Sequence, residues 1–409
     1  MNRRDFCFSA AAVTAASAAE RVYGFGIEHK KPSGEKPLIT AQEIAEIDRG
    51  WVLAAADKYL TERPITITAY HSPRSKGGKH DYFSEGDYWW PDPKHPGGPY
   101  IRRDGFSNPD NFNADREALI RLSLQVPALM AAYLITHEMK YARHAALHMR
   151  AWFLDPETRM NPTLTYAQAI WGRAPGRGIG IIDTLHLIEV TRAAHFLDRT
   201  GALAPDEVGG VKKWFAEYLN WMRTSKNGKE EEAAKNNHGT CWVAQAAAFA
   251  AYTENEECLA FCRERFKSSL LPTQMAPNGS FPLELARTKP YSYSLFDLDA
   301  LAIVCEIASK ERPAADDLWK FTLPDGDRYK KAIDFMYPYI KDKSRWPYKQ
   351  DVEYWDDLPN RQPSLLFAGL AYRDAKYIAL WKTLRPMPRT AEIVRNFPVR
   401  QPLLWVTAV

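Results

Sequence analysis

What this 409-residue chain has little of narrows its class first. It has five cysteines, one of them Cys7 in an N-terminal leader, so Cys241, Cys258, Cys262 and Cys305 remain. Cys258 and Cys262 stand four apart on a predicted helix, a poor geometry for a disulfide and too few ligands for zinc. All four are expected to be buried free thiols. No His-x-x-x-His or Glu-x-x-His pairing on a helix is read from the chain, so neither a metal nor a cofactor is expected, with carboxylate calcium sites left open. Charge of one sign is also scarce. The formal excess of +4 drops to +3 once residues 1–19, with Arg3, Arg4 and Asp5, are removed. So small an excess speaks against nucleic acid as a partner, and any polyanion must be met by a local basic cluster. No later apolar run reaches the roughly 18 residues a bilayer span needs, so no membrane partner is expected. There is no run of alternating strands, no coiled-coil heptad and no short exact repeat.

The chain opens with Arg3-Arg4 ahead of a short Ala-rich run that ends in small residues near Ala18 or Ala19. That pattern predicts a twin-arginine signal peptide over 1–19, and hence a protein exported to the periplasm or secreted. Residues 20–37 form a polar linker, and 38–409 a single domain expected to be a monomer. Most of that domain reads as helix. Apolar residues recur at three- and four-residue spacing through Ile39–Leu60, Arg116–Leu154, Asp183–Leu197, Asp206–Thr224, His238–Tyr252, Glu256–Leu270, Ser294–Ser309, Tyr329–Tyr339 and Ser364–Leu384. Amphipathic helices joined as hairpins predict an all-α fold, an α/α toroid or incomplete α/α barrel, with an α-solenoid as the other arrangement.

Three stretches break the helical pattern. The longest, about 70–113, is dense in Gly, Pro, Asp and aromatics, and a loop of that length usually serves function. It is read as a lid over a cleft, with a structural brace as the other reading. Its Arg74, Lys76, Lys79, His80, Tyr82, Arg102 and Arg103 are candidates for meeting substrate carboxylates. The second, Asn161–Gly180, offers Tyr166, Gln168, Arg173 and Arg177 as substrate contacts. Its Gly176-Arg-Gly-Ile-Gly180 only superficially resembles a dinucleotide fingerprint, since no strand precedes it. The third is Trp346–Trp355. With 13 Trp, 20 Tyr and 18 Phe the chain has aromatics for stacking on sugar rings, although cores use them too.

The segment Asn236-Asn237-His238-Gly239-Thr240-Cys241-Trp242 is answered by Arg287-Thr288-Lys289-Pro290-Tyr291-Ser292-Tyr293. Together they supply an amide, an imidazole, a guanidinium and a phenol. In a 1,4-linked uronan the C5 hydrogen is weakly acidic, and its removal makes a dianion that must be neutralised. Asn237 and Arg287 suit that neutralisation, the former aided by free N–H groups at the start of a helix predicted from His238. His238 and Tyr293 are left for proton transfer. Tyr291 competes with Tyr293, because only one can point inward if the segment is extended.

These segments, and Asp81-Tyr-Phe-Ser-Glu-Gly-Asp-Tyr-Trp-Trp-Pro-Asp-Pro93, resemble the α/α-toroid alginate lyases and their relatives that cleave glucuronan. The resemblance runs from about Ile39 to about Trp381. Older members place a His directly after the tyrosine, where this chain has Ser294. The resemblance implies a polysaccharide lyase acting on an anionic polysaccharide, mannuronate-rich alginate first and glucuronan second, with Asn237, His238, Arg287 and Tyr293 as its catalytic set. For β-D-mannuronate it implies that Tyr293 is both base and acid; for the opposite C5 face, His238 is the base and Tyr293 the acid. Arg74, Lys79, His80, Tyr82, Tyr166, Gln168, Arg177 and Tyr291 are the substrate-binding candidates.

Two other classes compete. A glycoside hydrolase on the same fold needs two carboxylates across the cleft, for which Glu85, Asp87, Asp183, Glu284 and Asp351 are available. A non-catalytic uronan-binding protein would keep the aromatic, basic cleft without needing the Asn-His and Arg-Tyr pair.

Overall fold

The computed structural model describes residues 37–309 and 316–407, so the signal peptide expected over 1–19 and nearly all of the linker expected over 20–37 lie outside the described residues. In chain order the helices are α1 (Ala41–Tyr59), α2 (Ala114–Thr136), α3 (Met139–Met149), α4 (Leu187–Leu197), α5 (Pro205–Thr224), α6 (Lys226–Glu232), α7 (Asn237–Tyr252) and α8 (Glu256–Arg265). They continue as α9 (Leu271–Gln274), α10 (Pro282–Leu285), α11 (Pro290–Ala308), α12 (Arg328–Lys341), α13 (Pro363–Ala371), α14 (Ala375–Thr383), α15 (Ala391–Arg395) and α16 (Pro402–Val406).

Which helices form the inner ring follows from their faces. Every residue of α7 except His238 and Ala251 is buried, and every residue of α11 except Glu306 and Ile307. A helix with no polar face must be surrounded by others. In turn α2 packs on α4, α4 on α7, α7 on α11, and α11 on α13, while α3, α5, α8, α12 and α14 lie against this ring from outside. α7 carries several small buried side chains, among them Ala244, Ala247 and Ala248, and packs closely on α11. This is the all-α toroid expected from the periodicity.

Outer helices show how local sequence starts and stops them. Thr40 caps α1 by accepting from the Glu43 N–H, while the Glu43 carboxylate accepts the Thr40 N–H at 2.7 Å. Two of the predicted helical runs are each a pair of helices. Arg116–Leu154 breaks at His137 and Ser364–Leu384 at Arg373, which adopt φ of 58° and 55°. A single left-handed residue reverses the chain without disturbing the apolar spacing on either side, so periodicity passes over it.

The long loop is partly brace and partly cleft wall. It contains strands β1 (Phe83–Glu85), β2 (Trp89–Trp90) and β3 (Ile101–Arg102), and the second loop supplies β4 (Tyr166–Ala169). β1 pairs parallel with β4 and β2 antiparallel with β3. The glycines of the second loop serve packing: a Cβ on Gly176 would lie 2.0 Å from the Thr165 carbonyl oxygen, and one on Gly180 2.5 Å from the Ala167 Cβ. Arg116, in the first turn of α2, ties these pieces together. It is 3% exposed, forms ion pairs with Asp87 and Asp183, and donates to the Glu85 carbonyl at 3.1 Å.

By composition α2 reaches a mean hydropathy of 1.6 over an 18-residue window, but 67% of that window is buried inside the ring. The four cysteines outside the leader are free and buried, as expected. A His-x-x-x-His spacing does occur, His144 and His148 on α3. Burial pulls the His148 imidazole down to about 3, and neither of its nitrogens has a hydrogen-bond partner. Among the described residues no group of three His, Cys, Asp or Glu could hold a metal.

Removing one partner of a buried ion pair leaves the other charge uncompensated, at a cost of about 3–5 kcal/mol. Arg116→Met leaves Asp183 in that position, while Asp87 keeps Arg395. Its denaturant unfolding midpoint is expected to fall accordingly, and an unchanged midpoint would refute the role given to Arg116.

Candidate active site

A cleft of about 320 Å³ opens where α7 and α11 begin. The predicted set comes together there: Asn237, His238, Arg287 and Tyr293 all line it, with Gln168 and Arg177 from the second loop. Asp87, Tyr88, Trp89 and Arg102 enter from the long loop, and Arg395 and Asn396 from the C-terminal segment.

Asn237 opens α7 as expected, but its backbone N–H is not free. Glu284 on α10 accepts that N–H at 2.9 Å and the side-chain Nδ2 at 2.8 Å. The first turn of α11 is occupied likewise, because Asp351 accepts the N–H groups of Tyr291 and Ser292 at 2.9 and 3.0 Å. Carboxylates therefore already hold the N–H groups expected to help stabilise an anion. What remains of Asn237 for a ligand is its Oδ1 and the second Nδ2 hydrogen.

His238 is oriented from behind. Its Nδ1 lies 2.7 Å from Oε1 of Glu231 on α6, a carboxylate that is 1% exposed, which leaves Nε2 for the cleft. Burial pushes the imidazole pKa down, but attraction to Glu231 outweighs it, so the value lies above that of an ordinary histidine. Sequence reasoning missed Glu231, because in Lys-Glu-Glu-Glu-Ala it reads as one of a solvated charge run.

Tyr293 is the cleft tyrosine. The segment is helical rather than extended, and residues two apart on a helix diverge by about 200°. Tyr291 consequently points away; it is fully buried against Trp346 and Trp355 and donates to the Tyr339 carbonyl at 3.1 Å. It is not a substrate contact. Burial raises the Tyr293 phenol above the ordinary tyrosine range, opposed by the Arg287 guanidinium 4.6 Å from its ring centre. Arg287 is not a bare cation either. Its Nε and Nη2 donate to Asp104 of the long loop at 3.1 and 2.9 Å, leaving its other N–H groups for a ligand.

Other candidates fall outside the cleft lining. Arg74 pairs with Glu85 at 2.9 Å, Lys79 with Glu157 at 3.7 Å, and His80 Nδ1 meets the Arg159 carbonyl at 2.7 Å. Tyr82 is 1% exposed and donates to Asp183 beneath the cleft floor. The Tyr166 ring packs against Gly77, where an added Cβ would lie 2.7 Å away. These five answer to the fold. Gln168 and Arg177 do line the cleft. Arg177 donates to the carbonyl and side-chain oxygen of Gln168 at 2.8 and 3.2 Å, and it has no ion-paired carboxylate among the described residues. Burial lowers it only to about 10, so it stays charged at neutral pH.

The hydrolase reading loses its acid and base here. Only Asp87 and Asp183 of its five carboxylates line the cleft, and both are ion-paired, Asp87 with Arg116 and Arg395, Asp183 with Arg116.

A family model described as alginate lyase matches residues 66–346. No curated protein matches the chain. Among solved structures, an alginate lyase from Bacteroides ovatus is 34% identical with a TM-score of 0.77, covering 91% of this chain and 99% of that one. Alginate lyase A1-III from Sphingomonas species A1 shares the fold at 15% identity and a TM-score of 0.55, over 90% of this chain and 96% of its own. A variant of A1-III complexed with tetrasaccharide aligns equally well in TM-score at 14% identity, over 92% and 98% of the two chains. With its cleft built from the segments that carry the resemblance, and with likeness extending over nearly the whole chain, the protein belongs to the alginate lyase family of polysaccharide lyases.

Proposed function

We propose that the chain cleaves a 1,4-linked polyuronate by β-elimination, with mannuronate-rich alginate as its preferred polymer. The observation that carries this is the convergence of Asn237, His238, Arg287 and Tyr293 on one cleft whose carboxylates are all ion-paired. Arg177 is the cation left for a uronate carboxylate, with Asn237 and the remaining donors of Arg287 beside it. Their hydrogen bonds strengthen as the C5 carbanion passes charge to that carboxylate. On mannuronate, Tyr293 takes the C5 proton and returns it to the leaving O4 oxygen, while His238 positions the sugar. For the opposite C5 face, His238 takes the proton and Tyr293 supplies the other. The product carries an unsaturated non-reducing end and no added water.

Tyr293→Phe keeps the ring and should leave folding and polymer affinity nearly unchanged. Turnover should fall at least 10²- to 10⁴-fold, the usual worth of a general acid. Ultraviolet absorbance of the unsaturated product, measured on polymannuronate, mixed alginate and glucuronan, reads both activity and preference. Saturated, hydrated products would sink the lyase chemistry.

A base must be unprotonated, so on a polymer where His238 acts as base, activity should fall as pH drops through the raised His238 pKa. Glu231→Gln removes the attraction that raises it, so the acidic limb of kcat should move to lower pH. A limb that stays put excludes His238 as its origin.

Export is part of the same proposal, since Arg3-Arg4 would route the folded protein through the twin-arginine pathway. Replacing both with Lys should hold the precursor in the cytoplasm, as read by fractionation. Undiminished delivery of mature protein would refute it.

A further inference from the structure

Four side-chain amides line the cleft, and two of them are already engaged. Gln168 donates to Asp183 at 3.0 Å and accepts from Arg177, and Asn237 donates to Glu284. Asn236 stands just before α7, beside the groups assigned to the uronate carboxylate. The fourth, Asn396, comes from the C-terminal segment, outside the stretch matched by the family model. It is half-buried, and its side chain has no hydrogen-bond partner among the described residues. The backbone beneath it is fixed. Its N–H closes α15 on the carbonyls of Glu392 and Ile393, 3.1 Å from each. Arg400, 2% exposed, donates to the Val394 carbonyl at 3.0 Å and reaches Ser123 Oγ of α2 at 3.1 Å and His186 Nδ1, just before α4, at 2.8 Å. Glu189 of α4 accepts the N–H groups of Arg400 and Gln401 at 2.8 and 2.7 Å. Glu392 accepts from Lys289 Nζ, just before α11, at 2.5 Å. The segment is thus tied to α2 and α4 on one flank and to α11 on the other, with α7 between α4 and α11 in the ring. Asn396 therefore enters the cleft across from the first turn of α7.

In the proposed reaction the groups where α7 and α11 begin hold one edge of a uronate, its C5 carboxylate, C5 hydrogen and O4. C2 lies across a pyranose ring from C5. The C2 edge of that unit consequently meets the wall that carries Asn396. An amide donates through Nδ2 and accepts through Oδ1, which suits a hydroxyl, whereas a carboxylate takes donors alone. β-D-Mannuronate and β-D-glucuronate share their configuration at C3, C4 and C5 and differ at C2, where the hydroxyl is axial in the first and equatorial in the second. The elimination is therefore the same for both, and only the C2 edge tells them apart. We propose that Asn396 is a substrate-binding residue that hydrogen-bonds the axial 2-hydroxyl of the mannuronate unit losing its C5 proton, and so sets the preference for mannuronan over glucuronan. An equatorial 2-hydroxyl stands in another direction and leaves the amide to water. Because Asn396 is half-buried, that exchange keeps the discrimination modest.

The inference rests on the polyuronate elimination proposed above, so binding and turnover are measured separately. The full chain carrying Tyr293→Phe is titrated by calorimetry with saturated tetrasaccharides of β-1,4-mannuronate and of β-1,4-glucuronate, with and without Asn396→Ala. Asn396→Ala should weaken the mannuronate tetrasaccharide about 3- to 10-fold, the worth of one uncharged hydrogen bond, and the glucuronate one by less than about 2-fold. With Tyr293 restored, kcat/KM on polymannuronate should fall by the same factor, mostly through KM, and its ratio to that on glucuronan should narrow. The Asn396 side chain holds nothing in the protein, so the denaturant unfolding midpoint should stay where it is. A midpoint that falls assigns the side chain to the fold and overturns the proposal. Equal weakening of both tetrasaccharides, no change in either, or a larger loss on glucuronate overturns it as well. If the unsubstituted protein eliminates and the ratio stays put, only this inference fails. If its products are saturated and hydrated while the tetrasaccharide affinities still shift as expected, the elimination fails and Asn396 keeps its role.

Discussion

The packing of α7 against α11 is the constraint on which the site depends. Both helices are buried nearly all round, so both lie inside the ring, and they pack on each other. Once adjacent, they bring His238 in the first turn of one and Tyr293 in the first turn of the other to a single cleft. Fifty-five residues of sequence separation become one cleft because two buried helices start at the same end.

Polar groups placed at those ends carry a cost, and carboxylates meet most of it. Glu284 holds Asn237, Asp351 holds the first turn of α11, Glu231 holds His238, and Asp104 holds part of Arg287. Each fixes a functional group in one orientation, which favours a transition state over a mobile substrate. The same arrangement withdraws backbone N–H groups and part of a guanidinium from the substrate. That leaves Arg177, whose own hydrogen bonds go to neutral oxygens, as a cleft cation that no carboxylate among the described residues holds. A family-level list of catalytic residues does not convey this division of labour between groups that are held and groups that are free.

The long loop serves two purposes because Arg116 sits beneath it. Residues 82–87 pack over that buried cation, and the residues that follow, from Tyr88 to Arg102, contribute to the cleft wall. The C-terminal segment closes the other side with Arg395 and Asn396, the former paired with Asp87 of the long loop. Two segments remote in sequence thus meet at the cleft, and a hydrogen bond of 2.8 Å between Tyr88 and Tyr293 joins the long loop to the ring.

By itself the sequence determined the helical class, since apolar spacing reports burial along one face. It also determined the Asn237–His238 and Arg287–Tyr293 segments, since those residue types have one chemistry in common. Gln168 and Arg177 were legible because a loop rich in glycine carried them. Only the tertiary structure decided between Tyr291 and Tyr293, because the choice depends on where α11 begins, and a proline with two tyrosines fits loop and helix start alike. Tertiary structure alone also removed Arg74, Lys79, His80, Tyr82 and Tyr166 from the cleft, since a side chain that braces a loop and one that faces a ligand have the same composition. The carboxylates Glu231 and Asp104 were illegible for a related reason. A charged residue in a polar stretch reads as solvated until the fold buries it against the one partner that gives it a role.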